Sequence, residues 1–441
     1  MWKAARNTVR LTCSACRSVA HASCQARVSA PRVISSATPC PTGCRALSSS
    51  STSSTAVTST SSDGRFLTVA WQAGGESRYP FIYLRDNCTC SECFHELSSM
   101  RTVEIMADGI DADISPSGVE STATGVRITW PNGHVSDFTN AWLREHTLST
   151  QPKDHGLGRF QRPAAQPWLA STFSPPVFGL DAMMSNENVQ YDILDNLYKS
   201  GIVVVKGCGT EPMPNEVYEK LGMLQDTAFG LFWLVEARAD PNNLAYSPKA
   251  FPLHTDLPYL KNTPGTLLLH CLRQAPTGGH TFLTDGFAVA AKLREENPLW
   301  YDLFSRVPVT WHQLGYDPTS DRHYHYEFAQ PILNVDRHGE LYKVCFSVAA
   351  RGSFLSIKED DVHDFYHGYL RWMQLCKSPE HRYEVRLEPG DMLIINDQRI
   401  AHGRDAISDT REKGRCLRGC YLSWDDVDSR FRHLYYKLKK A

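Results

Sequence analysis

From about Phe178 onward, the apolar positions change period several times. "NENVQYDILDNLYKSG" carries Val189, Ile193, Leu194 and Leu197 at helical spacing, with Gly201 as a stop. "IVVVKG" reads as a buried strand, and "TEPMPNEVYEKLGMLQ" as a second helix opened by proline and acidic residues. Then come "GTLLLHCLRQ", "GGHTFLTDG", "VPVTWHQL", "QPILNVDRHGELYKVCFSV", "YEVRLEPGDMLIINDQRIAHGR" and "RCLRGCYLSW". Short strands broken by Gly/Pro turns predict a sandwich or barrel rather than alternating βαβ units. Nearer the N-terminus, "VRITWPNGHVSDF" alternates apolar and polar residues around Pro131-Asn132-Gly133, as a hairpin does. The expected fold class is mostly β with flanking helices.

Between these regions, "KDHGLGRFQRPAAQPWLASTFSPP" is rich in Pro, Gly and Ser and reads as a linker. The expected organisation is a β-rich module over 63–150, a linker over 151–177 and a larger domain over 178–441. No run approaches 18 consecutive apolar residues, so no transmembrane segment is expected. Residues 1–62 stand apart: they contain no Asp or Glu but seven Lys and Arg, and end in "SSSSTSSTAVTSTSS". Arg-containing, Ser-rich and acid-free composition is that of a mitochondrial transit peptide, with a disordered tail as the plain alternative. Taking its seven positive charges from 46 leaves 39 against 48 acidic residues, or −9, for the remainder. A mildly acidic body argues against nucleic acid as a partner.

Five of the 14 cysteines lie in that N-terminal stretch. A matrix protein keeps its thiols reduced, so the other nine are not expected to form a disulfide framework. Three of them, Cys88, Cys90 and Cys93 in "YLRDNCTCSECF", are bunched. Thiolates at such spacing suit tetrahedral zinc, and His134, just past the hairpin turn, supplies a fourth ligand. Four protein ligands leave no open position, so this zinc would be structural; buried free cysteines beside a surface histidine are the alternative.

"PLHTDLPYL" places His254 and Asp256 two apart in a strand-like segment, where residues i and i+2 share a face. A salt-linked surface pair would look the same. Far downstream, "EPGDMLIINDQRIAHGR" brings His402 to the end of a short strand. Two histidines and one carboxylate with open positions opposite form the facial triad of non-haem Fe(II) oxygenases. Arg415, 13 residues on, offers a fork suited to a carboxylate.

Together with "ITWPNGH", "NNLAYS", "PGTLLLHCLRQAPTGGHTFLTDGF" and "GCYLSWDDV", these segments resemble the γ-butyrobetaine/trimethyllysine dioxygenase family of 2-oxoglutarate-dependent oxygenases, from about Tyr83 to the C-terminus. The three-cysteine cluster and "HTDLPYL" resemble the γ-butyrobetaine branch more closely. The resemblance implies a double-stranded β-helix, iron on His254, Asp256 and His402, and 2-oxoglutarate on Arg415, with Thr281 as a further candidate contact. It also implies O2 as co-substrate, ascorbate as reductant, and a homodimer. A trimethylammonium substrate donates no hydrogen bond and is recognised by aromatic faces. Motif matching puts Phe229, Trp233, Tyr246 and Tyr421 in such a cage, and Asn243 near the substrate; without the resemblance these rings read as core. Phe229 stands where the family usually has tyrosine.

Ser347-Val348 replaces a pair of asparagines that the γ-butyrobetaine enzymes resemble after "LYKVCF", which bears on the acid end of the substrate. The expected activity is hydroxylation of a trimethylammonium acid, γ-butyrobetaine first. Trimethyllysine hydroxylation and a catalytically silent binding module are the rivals. A mitochondrial matrix address suits the trimethyllysine reading, and a cytoplasmic one is the alternative.

Overall fold

The computed structural model describes residues 56–106, 108–148, 162–237, 244–317, 321–407 and 414–439. The chain divides into two units between Leu148 and Ser149. In the first, an antiparallel meander of Val57–Ser62, Phe66–Trp71 and Glu76–Pro80 precedes a second one of Gly118–Thr122, Gly125–Thr129 and Val135–Thr139. "FLTVAW" buries every second residue, Leu67, Val69 and Trp71, as a strand with one wet face must. These pack with Tyr79, Phe81, Ile128, Trp130 and Phe138.

The first unit begins earlier than Asp63. Val57–Ser62, part of the low-complexity run, pairs with Phe66–Trp71. An edge strand asks mainly for backbone hydrogen bonds, and here Val57 is the strand's contribution to the core. Residues 1–55 lie outside the described residues, and so does the transit-peptide expectation placed on them.

The second unit is a double-stranded β-helix. Its larger sheet orders Cys416–Leu422, Thr266–Arg273, Met392–Asn396 and Ile202–Lys206 antiparallel, and Val177–Gly179 adds a parallel edge. The smaller sheet orders Phe251–His254, Ile400–Arg404, Thr281–Asp285 and Arg382–Val385. "TLLLHC" is buried throughout because both faces of its strand are covered. Leu267 and Leu269 point into the main core, whereas Leu268 packs among residues of the helices Glu187–Lys199 and Trp424–Lys439. The helix expected over "TEPMPNEVYEKLGMLQ" shrinks to Asn215–Tyr218, since Leu224 and Gln225 are drawn into pairing with Leu422 and Tyr421.

The linker expectation also changes. Residues 162–177 lie on the second unit, with Trp168 buried, its amide donating to Asp285 and its indole N–H to the Ser200 carbonyl. Asp285 is in turn held by Arg399 through two hydrogen bonds of 2.9 and 2.6 Å, and both side chains are fully buried. Arg399 also reaches the carbonyls of Gln166, Tyr198 and Lys199, so one guanidinium ties three segments together. Removing it strands a buried carboxylate. Arg399→Met should therefore cost about 3–5 kcal/mol in a denaturant titration. Arg399→Met with Asp285→Leu should recover much of that loss.

Candidate active site and metal centres

Two groups of metal-ligating side chains occur among the described residues, one in each unit. In the first unit, Gly133 takes a φ of 83°, and the turn closes with Gly133 N–H donating to the Trp130 carbonyl. That turn sets His134 against the loop bearing the three cysteines. Its Nε2 lies 3.4, 3.7 and 3.5 Å from the Sγ atoms of Cys88, Cys90 and Cys93. Ligands about 2.3 Å (sulfur) and 2.0 Å (nitrogen) from a tetrahedral ion stand about 3.5 Å apart, so the donors fit zinc. Arg85 donates to Cys93 Sγ, and Glu92 lies 3.3 Å from His134 Nδ1. Burial pushes the thiols of Cys88 and Cys93 up, the latter to about 11. A bound metal offsets that by holding the thiolate form.

In the second unit, the strand ends at His254 rather than running on through Asp256. Thr255 donates its N–H to the Phe346 carbonyl, and Leu257 adopts a φ of 48°, so the chain turns. Asp256 reaches His254 by that turn instead of by strand alternation. Its Oδ1 lies 3.1 Å from His254 Nε2 and its Oδ2 3.6 Å from His402 Nε2. His402 is brought alongside by the register of the two strands, in which His254 and His402 are direct partners.

The electrostatics suit a cation. Burial lowers His402 to about 4, leaving a neutral imidazole with a lone pair to offer. For Asp256, burial raises the carboxyl, but the two imidazoles and the Tyr421 hydroxyl outweigh it and hold it at about 2. A second carboxyl, Asp397, accepts the Asp256 backbone N–H at 3.0 and 3.2 Å and faces His402 Nδ1 at 3.4 Å. Burial and the charge on Asp256 push Asp397 well above the usual carboxylate range. Two imidazole nitrogens and one carboxylate are the donor set that Fe(II) takes in a facial triad.

The triad opens on a cleft lined by polar, charged and aromatic side chains. Thr281 and Arg415 line it, with Arg415 immediately before the Cys416–Leu422 strand rather than within it. Arg415 Nη2 donates to Thr281 Oγ1 at 3.1 Å, and its buried Nε has no acceptor among the described residues. Burial lowers this guanidinium to about 10, still charged at neutral pH. A buried cation with donors to spare fits a carboxylate.

Phe229, Trp233, Tyr246 and Tyr421 line the same cleft. The rings of Trp233 and Tyr421 lie 4.3 Å apart and 35° inclined. Trp233 pairs in register with Gly419, where a Cβ would meet the indole at 2.6 Å. Glycine there lets the indole lie flat on the strand. Tyr421 also donates its hydroxyl to Asp256 Oδ2 at 2.7 Å. Asn243 lies outside the described residues. Ser347 lines the cleft and accepts the Ala350 N–H, while Val348 is largely exposed. Asp397, Tyr259 and Gln313 were not singled out by the sequence; the "IIND" run was the available signal for Asp397.

Comparison with known proteins agrees with this geometry. Residues 162–421 match the family described as Taurine catabolism dioxygenase TauD, TfdA family, and residues 58–156 match Gamma-butyrobetaine hydroxylase-like, N-terminal. Gamma-butyrobetaine dioxygenase of Homo sapiens is 31% identical over 85% of this chain and 95% of its own length. The enzyme of the same name from Pseudomonas sp. (strain AK-1) is 31% identical, covering 82% and 92%. Trimethyllysine dioxygenase, mitochondrial, of Gallus gallus is 27% identical over 82% of this chain and 87% of its own.

Purified protein should carry one tightly held zinc per chain, measured by elemental analysis. Cys90→Ser should release it and lower the melting temperature of the first unit. It should leave metal binding at His254, Asp256 and His402 intact, since no residue is shared.

Proposed function

From the premise that this chain belongs to the TauD, TfdA dioxygenase family, we propose that it is an Fe(II)- and 2-oxoglutarate-dependent hydroxylase of a trimethylammonium acid, with γ-butyrobetaine the substrate that its relatives support best. The observation that carries this reading is a single cleft holding the His/Asp/His cluster, an underused buried arginine and a tilted tryptophan–tyrosine pair.

His254, Asp256 and His402 are the residues that hold iron. Iron with 2-oxoglutarate and O2 supplies the oxidant that puts a hydroxyl on the substrate, 2-oxoglutarate leaving as succinate and carbon dioxide. The protein's own part is placement. Arg415, steadied by Thr281, binds the distal carboxylate of 2-oxoglutarate. Trp233, Tyr421, Phe229 and Tyr246 present ring faces to the ammonium, each worth roughly 0.5–2 kcal/mol once water is excluded. The Tyr421 hydroxyl on Asp256 links that cage to the carboxylate arm of the iron site. A substrate gripped at its cationic end exposes one methylene to the metal, which is how a single carbon is selected. Zinc on Cys88, Cys90, Cys93 and His134 braces the first unit and takes no part in the chemistry.

Trimethyllysine is the second reading, favoured by Ser347-Val348 and by an acid-free N-terminal segment with the composition of a mitochondrial address. Supplying iron, 2-oxoglutarate and either γ-butyrobetaine or trimethyllysine, and quantifying hydroxylated product against succinate, decides between them. We expect γ-butyrobetaine to be hydroxylated with near-equal succinate. Product from trimethyllysine alone would reassign the substrate, and no product from either would leave a binding module.

The cage has its own test. Trp233→Leu keeps an apolar wall without the ring quadrupole, so it should weaken substrate capture roughly tenfold to a hundredfold. 2-Oxoglutarate affinity should hardly move. Wild type should prefer the cation over an analogue with a neutral tert-butyl group, and the variant should lose most of that preference. Equal binding of the two by wild type would reduce these rings to packing.

A further inference from the structure

The arginine of "HGR" has no part in the chemistry above, and its surroundings call for a reason. Arg404 is buried, yet among the described residues no carboxylate pairs with its guanidinium. Its Nη1 donates to the carbonyls of Lys249 at 2.7 Å and Asp405 at 3.1 Å. Its Nη2 donates to the carbonyls of Ala245 at 3.2 Å and Ser247. Burying a cation against neutral acceptors is costly, so the arrangement persists only if the rest of the structure depends on it.

Three of those four carbonyls belong to one irregular segment. It opens with the single turn Leu244–Tyr246, sets the Tyr246 ring on the cleft wall and runs into the strand that ends at His254. Arg404 sits two residues after His402 on the facing strand, in register with Phe251 and Thr281. Although Arg404 lines the cleft, its fork is already spread over four backbone oxygens. Arg415, by contrast, retains a donor without an acceptor. The two arginines therefore divide the work, one facing the co-substrate and one facing the backbone.

We propose that Arg404 is a positioning residue that pins the Tyr246 wall of the cleft to the His402 strand. An irregular segment has no ladder to hold it, and a planar guanidinium spans several carbonyls at once. Lysine offers a compact point charge on a flexible stem and cannot reproduce that fork. The wall's link to substrate capture rests on the trimethylammonium reading above; the anchoring of the segment does not.

The test compares Arg404→Lys with wild type, both loaded with Fe(II) and 2-oxoglutarate. Amide hydrogen exchange in 244–251 should speed up by about tenfold or more, with 266–273 and 416–422 unchanged. For γ-butyrobetaine, KM should rise about tenfold, the worth of one ring in such a cage, while kcat and the 2-oxoglutarate KM move less than about twofold. In a Tyr246→Ala background the same change should add little, because both act through one wall. Unchanged exchange in 244–251 would overturn the proposal. So would a global loss of folding, which would make Arg404 a support for the whole unit. Accelerated exchange in a protein that turns over no trimethylammonium acid would sustain the anchor and discard the substrate reading.

Discussion

Asp256 is a half-buried carboxylate at the mouth of the cleft, and a charge largely withdrawn from water needs compensation from its neighbours. Its backbone N–H goes to Asp397, one oxygen faces His254, and the other faces His402 and accepts from Tyr421. Each neighbour is thereby fixed by the same charge. The charge helps to push Asp397 well above the usual carboxylate range, and the Tyr421 ring is turned toward Trp233. Even so, no Lys or Arg pairs with Asp256 among the described residues, and its carboxylate stands with two imidazoles as a site for a cation. Arg415 is the converse, a buried cation short of an anion in the same cleft. Iron and a dicarboxylate would satisfy both, as proposed above.

The double-stranded β-helix makes this arrangement affordable in structural terms. Most of the charge sits on or beside the smaller sheet, while the larger one, apolar on both faces, is clamped by helices. Arg399 and Asp285 do for the frame what Asp256 does for the site, as a fully buried pair that joins segments distant in sequence. The cleft can then carry poorly compensated charges without loosening the frame around it.

Much of this was legible in the sequence, and unevenly so. The apolar runs over 267–269 and 392–395 marked strands, because burial on both faces leaves a continuous apolar signature. The "HTD" pair was readable although the geometry behind it was not: the strand stops at His254, and a turn set by contacts from Phe346 and Asp397 brings Asp256 round. Tertiary contacts of that kind leave no local trace. The same holds for Trp168, whose Pro-rich surroundings read as linker while its indole is buried. Val57–Ser62 escaped for a different reason, since an edge strand is held by its backbone and its side chains are nearly uninformative. The rings that line the cleft were singled out by resemblance alone, an aromatic at a cleft being indistinguishable in sequence from one in a core.

Asp256 and Arg415 are proposed to take two ligands of opposite charge that bind together. Titrating 2-oxoglutarate into the Fe(II)-loaded protein without oxygen, and following visible charge-transfer absorption, tests it most directly. Wild type should give a saturable band, and Asp256→Ala none. In Arg415→Met the midpoint should move to a 2-oxoglutarate concentration about 30-fold higher or more, the cost of leaving a desolvated carboxylate without its partner. An unchanged midpoint in Arg415→Met, or an undiminished band in Asp256→Ala, would contradict it.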